Sequence, residues 1–118
     1  VTDMVSYVKY EKELVHGYRE RLNESKRLDE IGEVFISTVF KLLKMVDPEL
    51  DDSLIEELYF EPEDEKGYSM GSNLKKRINE HMERSDLEAI IKRFAEMAKN
   101  RYKHILHDDD RTDMFRKA

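Results

Sequence analysis

Between Leu28 and Val46 the chain is apolar on almost every side of a helix, and this stretch governs what the rest can build. Ile31, Val34, Phe35, Ile36, Val39, Phe40, Leu42, Leu43, Met45 and Val46 leave only a narrow polar strip at Glu30, Glu33, Ser37, Lys41 and Lys44. A helix with so little polar surface must be covered on most sides by other elements. The pattern therefore predicts a central helix over 28–46 with further helices packed around it.

Those partners are visible. Met4, Val8, Val15, Tyr18 and Leu22 fall on a spacing that alternates four and three, with position 11 between Val8 and Val15, one stripe of a helix over 3–23 with Asp3 as its cap. Asp47-Pro48-Glu49 has the form of a cap followed by proline at the first helical position, so a short helix carrying Leu50, Leu54, Ile55, Leu58 and Tyr59 is expected. Ser72 or Asn73 can cap a helix over 73–84 that turns Leu74, Ile78, His81 and Met82 inward. Ser85 with Glu88 three residues on has the form of a capping box and predicts a long helix over 86–106, with Leu87, Ile90, Ile91, Phe94, Ala98, Tyr102 and Ile105 inward.

Two segments fall outside this pattern. Residues 61–72 contain Pro62, Gly67, Gly71 and an acid cluster, and read as one loop, long for a bundle connection. Residues 108–118 open on three consecutive aspartates, which disfavour a helix C-terminus, so a new short turn is expected there, with Met114 and Phe115 docking on the bundle. No alternating β pattern of useful length occurs. The expected fold is all-α, one compact bundle of four to five helices spanning residues 1–118.

With 39% hydrophobic and 41% charged residues, the chain has enough apolar side chains for a core once they are concentrated on faces. It has no cysteine, which excludes a disulfide framework, a thiolate metal site and a cysteine nucleophile. No apolar run approaches the roughly 20 residues of a membrane span and no signal-like segment opens the chain, so a cytoplasmic protein is expected. Cysteine and glutamine are absent while Glu, Lys and Arg abound, the bias of a thermophilic source. Val1 is compatible with an alternative start codon or a trimmed end. Charge is segregated: 47–66 carries ten acids against Lys66 alone, whereas 73–103 is rich in Lys and Arg. Such a molecule can pair its own halves or attract a second copy.

Several residues invite a chemical reading. Glu11 occupies a stripe position between Val8 and Val15 where an apolar residue is expected, so it is either a ligand inside the bundle or an edge residue paired with an Arg or Lys. Glu13-Leu14-Val15-His16 is a Glu-x-x-His motif, the unit that di-iron carboxylate bundles use twice. With Glu11 and Glu33 it makes Glu11, Glu13, His16 and Glu33 the candidate metal ligands, although the motif occurs once. His104 and His107, three apart beside Asp108, suit two metal ligands or two imidazoles near the negative end of a helix. The bases Lys75, Lys76, Arg77, Arg84, Lys92, Arg93, Lys99, Arg101 and Lys103 raise nucleic-acid binding, but they are interleaved with acids and read better as solvated helix surface with intrahelical ion pairs. No nucleotide fingerprint or phosphate-binding loop is present.

Two family resemblances rest on short motifs. Arg101 and His107, with five residues between them, resemble the arginine–histidine signature of the HEPN family of helical ribonucleases and nucleotide-binding domains. That resemblance implies a dimer in which Arg101 and His107 face a phosphodiester, and makes them the candidate catalytic residues. The family carries a substantial helix after the motif, whereas eleven residues follow His107 here. Glu30-x-x-Glu33 and Glu61-x-x-Asp64 resemble the paired acidic motifs of all-α nucleotide pyrophosphohydrolases, which implies Mg²⁺ held by carboxylates; Pro62 interrupts the second motif. The reading ranked first is a non-enzymatic protein–protein interaction or oligomerisation module, a homodimer without cofactor. An RNA- or nucleotide-binding helical dimer is the alternative, and a carboxylate–histidine metal bundle the second alternative.

Overall fold

A computed structural model describes the backbone of residues 5–117 and the side chains of residues 5–107. In chain order it forms α1 (Val8–Glu24), α2 (Leu28–Val46), a 3-10 segment (Asp52–Glu57), β1 (Leu58–Phe60), β2 (Tyr68–Met70), α3 (Ser72–Arg84) and α4 (Leu87–Lys117). The molecule is an all-α bundle with one small antiparallel hairpin, in the register Leu58–Met70, Tyr59–Ser69 and Phe60–Tyr68.

The central helix forms where its composition requires. Ile31, Phe35, Val39, Leu42 and Leu43 of α2 are fully buried, and α4 meets them with Leu87, Ile90, Ile91, Phe94, Ala95 and Ala98. Glu30 secures the start of α2 by accepting the N–H groups of Lys26 (3.3 Å) and Arg27 (3.1 Å). From α1, Tyr18 and Leu22 enter the core. The Tyr18 ring stands edge-on to Phe94 at 4.8 Å, and its hydroxyl donates to the Phe94 carbonyl at 2.6 Å. A buried phenol satisfied in this way combines apolar contact with a paired polar tip.

Helix α1 begins at Val8, later than its stripe suggests, because residues 5 and 6 make another contact. Val5 pairs in parallel with Ser85 as an isolated bridge, and Asp86 accepts from the Tyr7 N–H and the Ser6 hydroxyl, each at 2.8 Å. Residues 5–7 are thereby tied to the α3–α4 junction. The cap expected at Asp3 lies outside the described residues.

The segment after α2 differs from its expected form. Asp47 accepts from the Glu49 N–H but ends α2 instead of opening a helix, and Arg77 of α3 holds its carboxylate at 2.6 and 3.2 Å. The helical turn starts later, capped by Asp51, which accepts from the Ser53 N–H at 2.9 Å. The cap of α3 is also supplied from elsewhere. Neither Ser72 nor Asn73 provides it. Gly71 stands at the cap position, and the Glu57 carboxylate, delivered by the 3-10 segment, accepts from the Leu74 N–H and the Asn73 amide, each at 3.0 Å. An anion there meets the positive end of the helix dipole.

The expected 61–72 loop is shorter than its composition suggests. Residues 68–70 are a strand paired with 58–60, and the connection closes through Glu61 N–H to the Gly67 carbonyl (2.9 Å). Strands of three residues are too short to show a period-2 pattern. The hairpin earns its place by packing: Phe60 contacts the ring of Phe35 at 5.3 Å and of Tyr102 at 6.1 Å, wedged between α2 and α4.

At the other end, α4 continues as a helix to Lys117, beyond the stop expected near residue 106. The aspartate triplet is therefore interior to the helix. The expected docking of Met114 and Phe115 lies outside the described side chains.

Candidate interaction surface

The residues singled out in the sequence are dispersed. Glu11 lies at the edge of the α1 stripe, its side chain 15% exposed, and Arg93 of α4 grips both carboxylate oxygens at 2.7 and 2.8 Å. Glu13 is exposed, and His16 faces outward with Glu20, 3.2 Å away, one turn along the same helix. Glu33 is exposed on α2. Among the described residues no group of three or more His, Asp or Glu side chains is placed to hold a metal ion.

Arg101 points away from His107. A separation of six residues on a helix turns the second side chain by about 240°. The Arg101 guanidinium reaches α1 and donates from Nη2 to the carbonyls of Asn23 (3.1 Å) and Ser25 (2.9 Å). Those carbonyls end a helix and lack intrahelical donors, so a cation there satisfies them and complements the dipole. His107 is exposed on α4. Both His104 and His107 fall in the interior of α4 instead of near its end, because the helix continues for ten further residues.

The acidic pairs also have local duties. Glu30 caps α2, Glu61 accepts from the Ser69 hydroxyl at 3.2 Å, and Asp64 accepts from the Lys66 N–H at 2.9 Å. In the basic stretch, the ion pairs cross between elements instead of running within one helix, as in Arg77–Asp47 and Arg93–Glu11. Arg77 holds the Asp47 carboxyl below the usual carboxylate range, chiefly by direct hydrogen bonding. The acidic 47–66 segment and the basic 73–103 segment thus meet partly inside one molecule. Lys99 adds to this by donating to the Glu65 carbonyl at 3.1 Å.

What the structure assembles, and residue-by-residue reading missed, is an apolar groove. Leu28, Gly32 and Ile36 of α2, Tyr59 and Phe60 of β1, Pro62 and Tyr102 line a depression of about 540 Å³. Pro62 and Tyr102 also line a neighbouring recess that reaches Leu106 and Lys103. The apolar strip therefore runs from Tyr59, 48% exposed, to Leu106, 42% exposed. Asp29, Glu33 and Glu61 edge one end; Glu63, Asp64 and Glu65 stand with Lys99 and Lys103 at the other. The sequence signal for it was faint: Ile36 on the outer side of an otherwise buried helix, and an apolar pair, Tyr59-Phe60, that a short strand splits between two faces.

Among the described residues no helix is long and apolar enough to cross a membrane. No protein-family model, no curated protein and no solved structure matches this chain, so its function is read from its own residues.

Proposed function

We propose that the chain is a non-enzymatic interaction module that pairs with a second copy of itself through the groove between α2, β1 and α4. The observation that carries this reading is the continuous apolar strip from Tyr59 to Leu106, edged by charged side chains at both ends. A two-fold axis through such a strip is self-complementary. It buries Tyr59, Phe60 and Tyr102 of both copies in the centre, with the charged side chains left at the rim. Aromatic anchors inside a charged rim are the usual composition of a contact that binds. The roles taken by Arg101 and Glu11, each engaged in joining α1 to α4, also favour a structural protein over a hydrolase.

Solution mass by light scattering across a concentration series tests the reading. The wild-type chain is expected at twice the monomer mass. Tyr59→Glu, which places a charge in the centre of the strip at an exposed position, is expected to give a monomer with unchanged helical circular dichroism. A wild-type chain that stays monomeric to millimolar concentration overturns it, as does a Tyr59→Glu variant that still dimerises.

A further inference from the structure

A second cleft, of about 500 Å³, lies between β2, α3 and the first turn of α4. Met70, Ile78 and Met82 form its apolar wall, while Lys66, Lys75 and Glu88 stand around it. A smaller recess shares Tyr68 and Glu88 with it and extends to Lys92. Tyr68 lines both, is only 3% exposed, and its buried hydroxyl has no hydrogen-bond partner among the described residues.

The unmatched hydroxyl is the informative feature. The Tyr68 ring packs 6.3 Å from Phe35, and a phenylalanine would make that contact equally well without burying an unpaired polar atom. Tyr18, the other deeply buried tyrosine, does have a partner, in the Phe94 carbonyl. Burial and the neighbouring Glu88 carboxylate push the Tyr68 phenol up to about 12, so at neutral pH it is a donor awaiting an acceptor. Among the described residues Glu88 forms no hydrogen bond or ion pair, and it offers acceptor oxygens near that donor. Charges around the two spaces nearly cancel, with Lys66, Lys75 and Lys92 against Asp64, Glu65, Glu83 and Glu88. The exposed Lys66 side chain lies over the Tyr68 ring, its ammonium 5.4 Å from the ring centre, and can swing aside.

We propose that this cleft binds a small uncharged molecule that presents a carbonyl acceptor beside an N–H donor on an apolar body, as a lactam does. The carbonyl accepts from the Tyr68 hydroxyl, the N–H donates to Glu88, and the body packs on Met70, Ile78 and Met82. A carboxylate in the same place would meet the charge of Glu88, and an ammonium would leave the Tyr68 donor without an acceptor. A few convergent polar groups set in an apolar wall are the usual make-up of a ligand pocket, and the volume suits a small molecule.

The test is a methyl NMR titration of the full chain with caprolactam and valerolactam, and with cyclohexanecarboxylate and cyclohexylammonium as charged counterparts. Saturable shifts at the Met70, Met82 and Ile78 methyls are expected with the lactams at millimolar concentration, and weaker ones with either ion. Tyr68→Phe is expected to weaken lactam binding about tenfold, the worth of one hydrogen bond, while melting no lower than wild type. Three outcomes overturn the proposal: no saturable shift with either lactam, tighter binding of a charged counterpart, or unchanged binding by Tyr68→Phe. A lower melting temperature for Tyr68→Phe also overturns it, because the hydroxyl would then already have a partner in the free protein.

Discussion

Arg93 of α4 holds both carboxylate oxygens of Glu11 of α1, at 2.7 and 2.8 Å, where the apolar stripe of α1 would otherwise continue. The two ends of this pair are not equivalent. The Glu11 side chain is 15% exposed and the Arg93 side chain 51%. Removing Arg93 strands a carboxylate at the edge of the core, whereas removing Glu11 leaves a guanidinium that water can reach. Arg93→Leu is therefore expected to cost about 1–2 kcal/mol, between the values for exposed and buried pairs. Glu11→Leu is expected to cost less, since it also restores the stripe. Urea unfolding of both variants checks the order; equal losses would show that the burial difference has no energetic consequence.

Arg101 and His107 are separated by the same reasoning. Arg101 bridges the last turn of α1 to α4 through two carbonyls, so Arg101→Ala is expected to destabilise the fold by about 1.5–3 kcal/mol, the range for hydrogen bonds made by a charged group. Arg101→Lys cannot reproduce the planar guanidinium and is expected to recover only part of that. The exposed His107 is expected to tolerate alanine within about 0.5 kcal/mol. Thermal unfolding of the three variants distinguishes the structural role of the arginine from a shared role with the histidine.

Much of the fold was legible because it rests on long apolar patterns. The 28–46 helix has the same bounds in the sequence and in the structure, since nineteen residues with almost no polar face admit few other arrangements. The parts that differ depend on contacts between residues distant along the chain. Glu57 caps a helix whose cap position lies fourteen residues later, at Gly71, and Ser72 or Asn73 looks sufficient until that carboxylate is seen. The hairpin exists because Phe60 and Tyr68 find Phe35, which a pattern of three residues does not announce. The edge position of Glu11 and its arginine partner were readable as one of two alternatives, but which arginine depends on how α1 lies across α4. The groove was the least legible, being a property of three elements jointly.

Acid is expected to destabilise the molecule through three carboxylates. Asp47 lies below its ordinary range because of Arg77, and Glu57 below its own because of the Leu74 N–H and the Asn73 amide. Burial alone would raise Asp86, but the hydrogen bonds from Tyr7, Ser6 and its own backbone, with the charge of Arg93, outweigh it and leave it lowered. A carboxyl with a depressed folded pKa binds protons more readily when unfolded. Its stabilisation is complete above the unfolded value, about 4, and is lost as pH falls through the depressed folded value. Stability is thus expected to be flat with respect to these three groups from neutral pH to about 5 and to decline below about 4. Asp86→Asn is expected to lower stability at neutral pH and to make the acid decline shallower. Unfolding free energies measured across that range check the sign; a decline that begins near neutrality would point to another group.

Two glycines give opposite expectations from the same substitution. Gly17 lies inside α1, and a Cβ built there meets nothing within 4 Å, so Gly17→Ala only restricts the unfolded chain. A gain of about 0.5–1 kcal/mol is expected, the usual helical difference between the two residues. Gly67 closes the hairpin with a φ of +86°, where an L side chain is strained, and a Cβ there would lie 2.9 Å from Ala95 Cβ and from Lys99 Cδ on α4. Lys99 can yield, but Ala95 has no flexible end to move and is itself fully buried on α4. Gly67→Ala is therefore expected to cost about 2–3 kcal/mol, from backbone strain and overpacking together. Because the displaced hairpin carries Tyr59 and Phe60, the same variant is expected to weaken self-association, whereas Gly17→Ala leaves it unchanged. Melting curves and solution mass recorded on both variants test the two effects at once: a Gly67→Ala protein as stable as wild type would mean that the hairpin does not sit as closely on α4 as its turn requires.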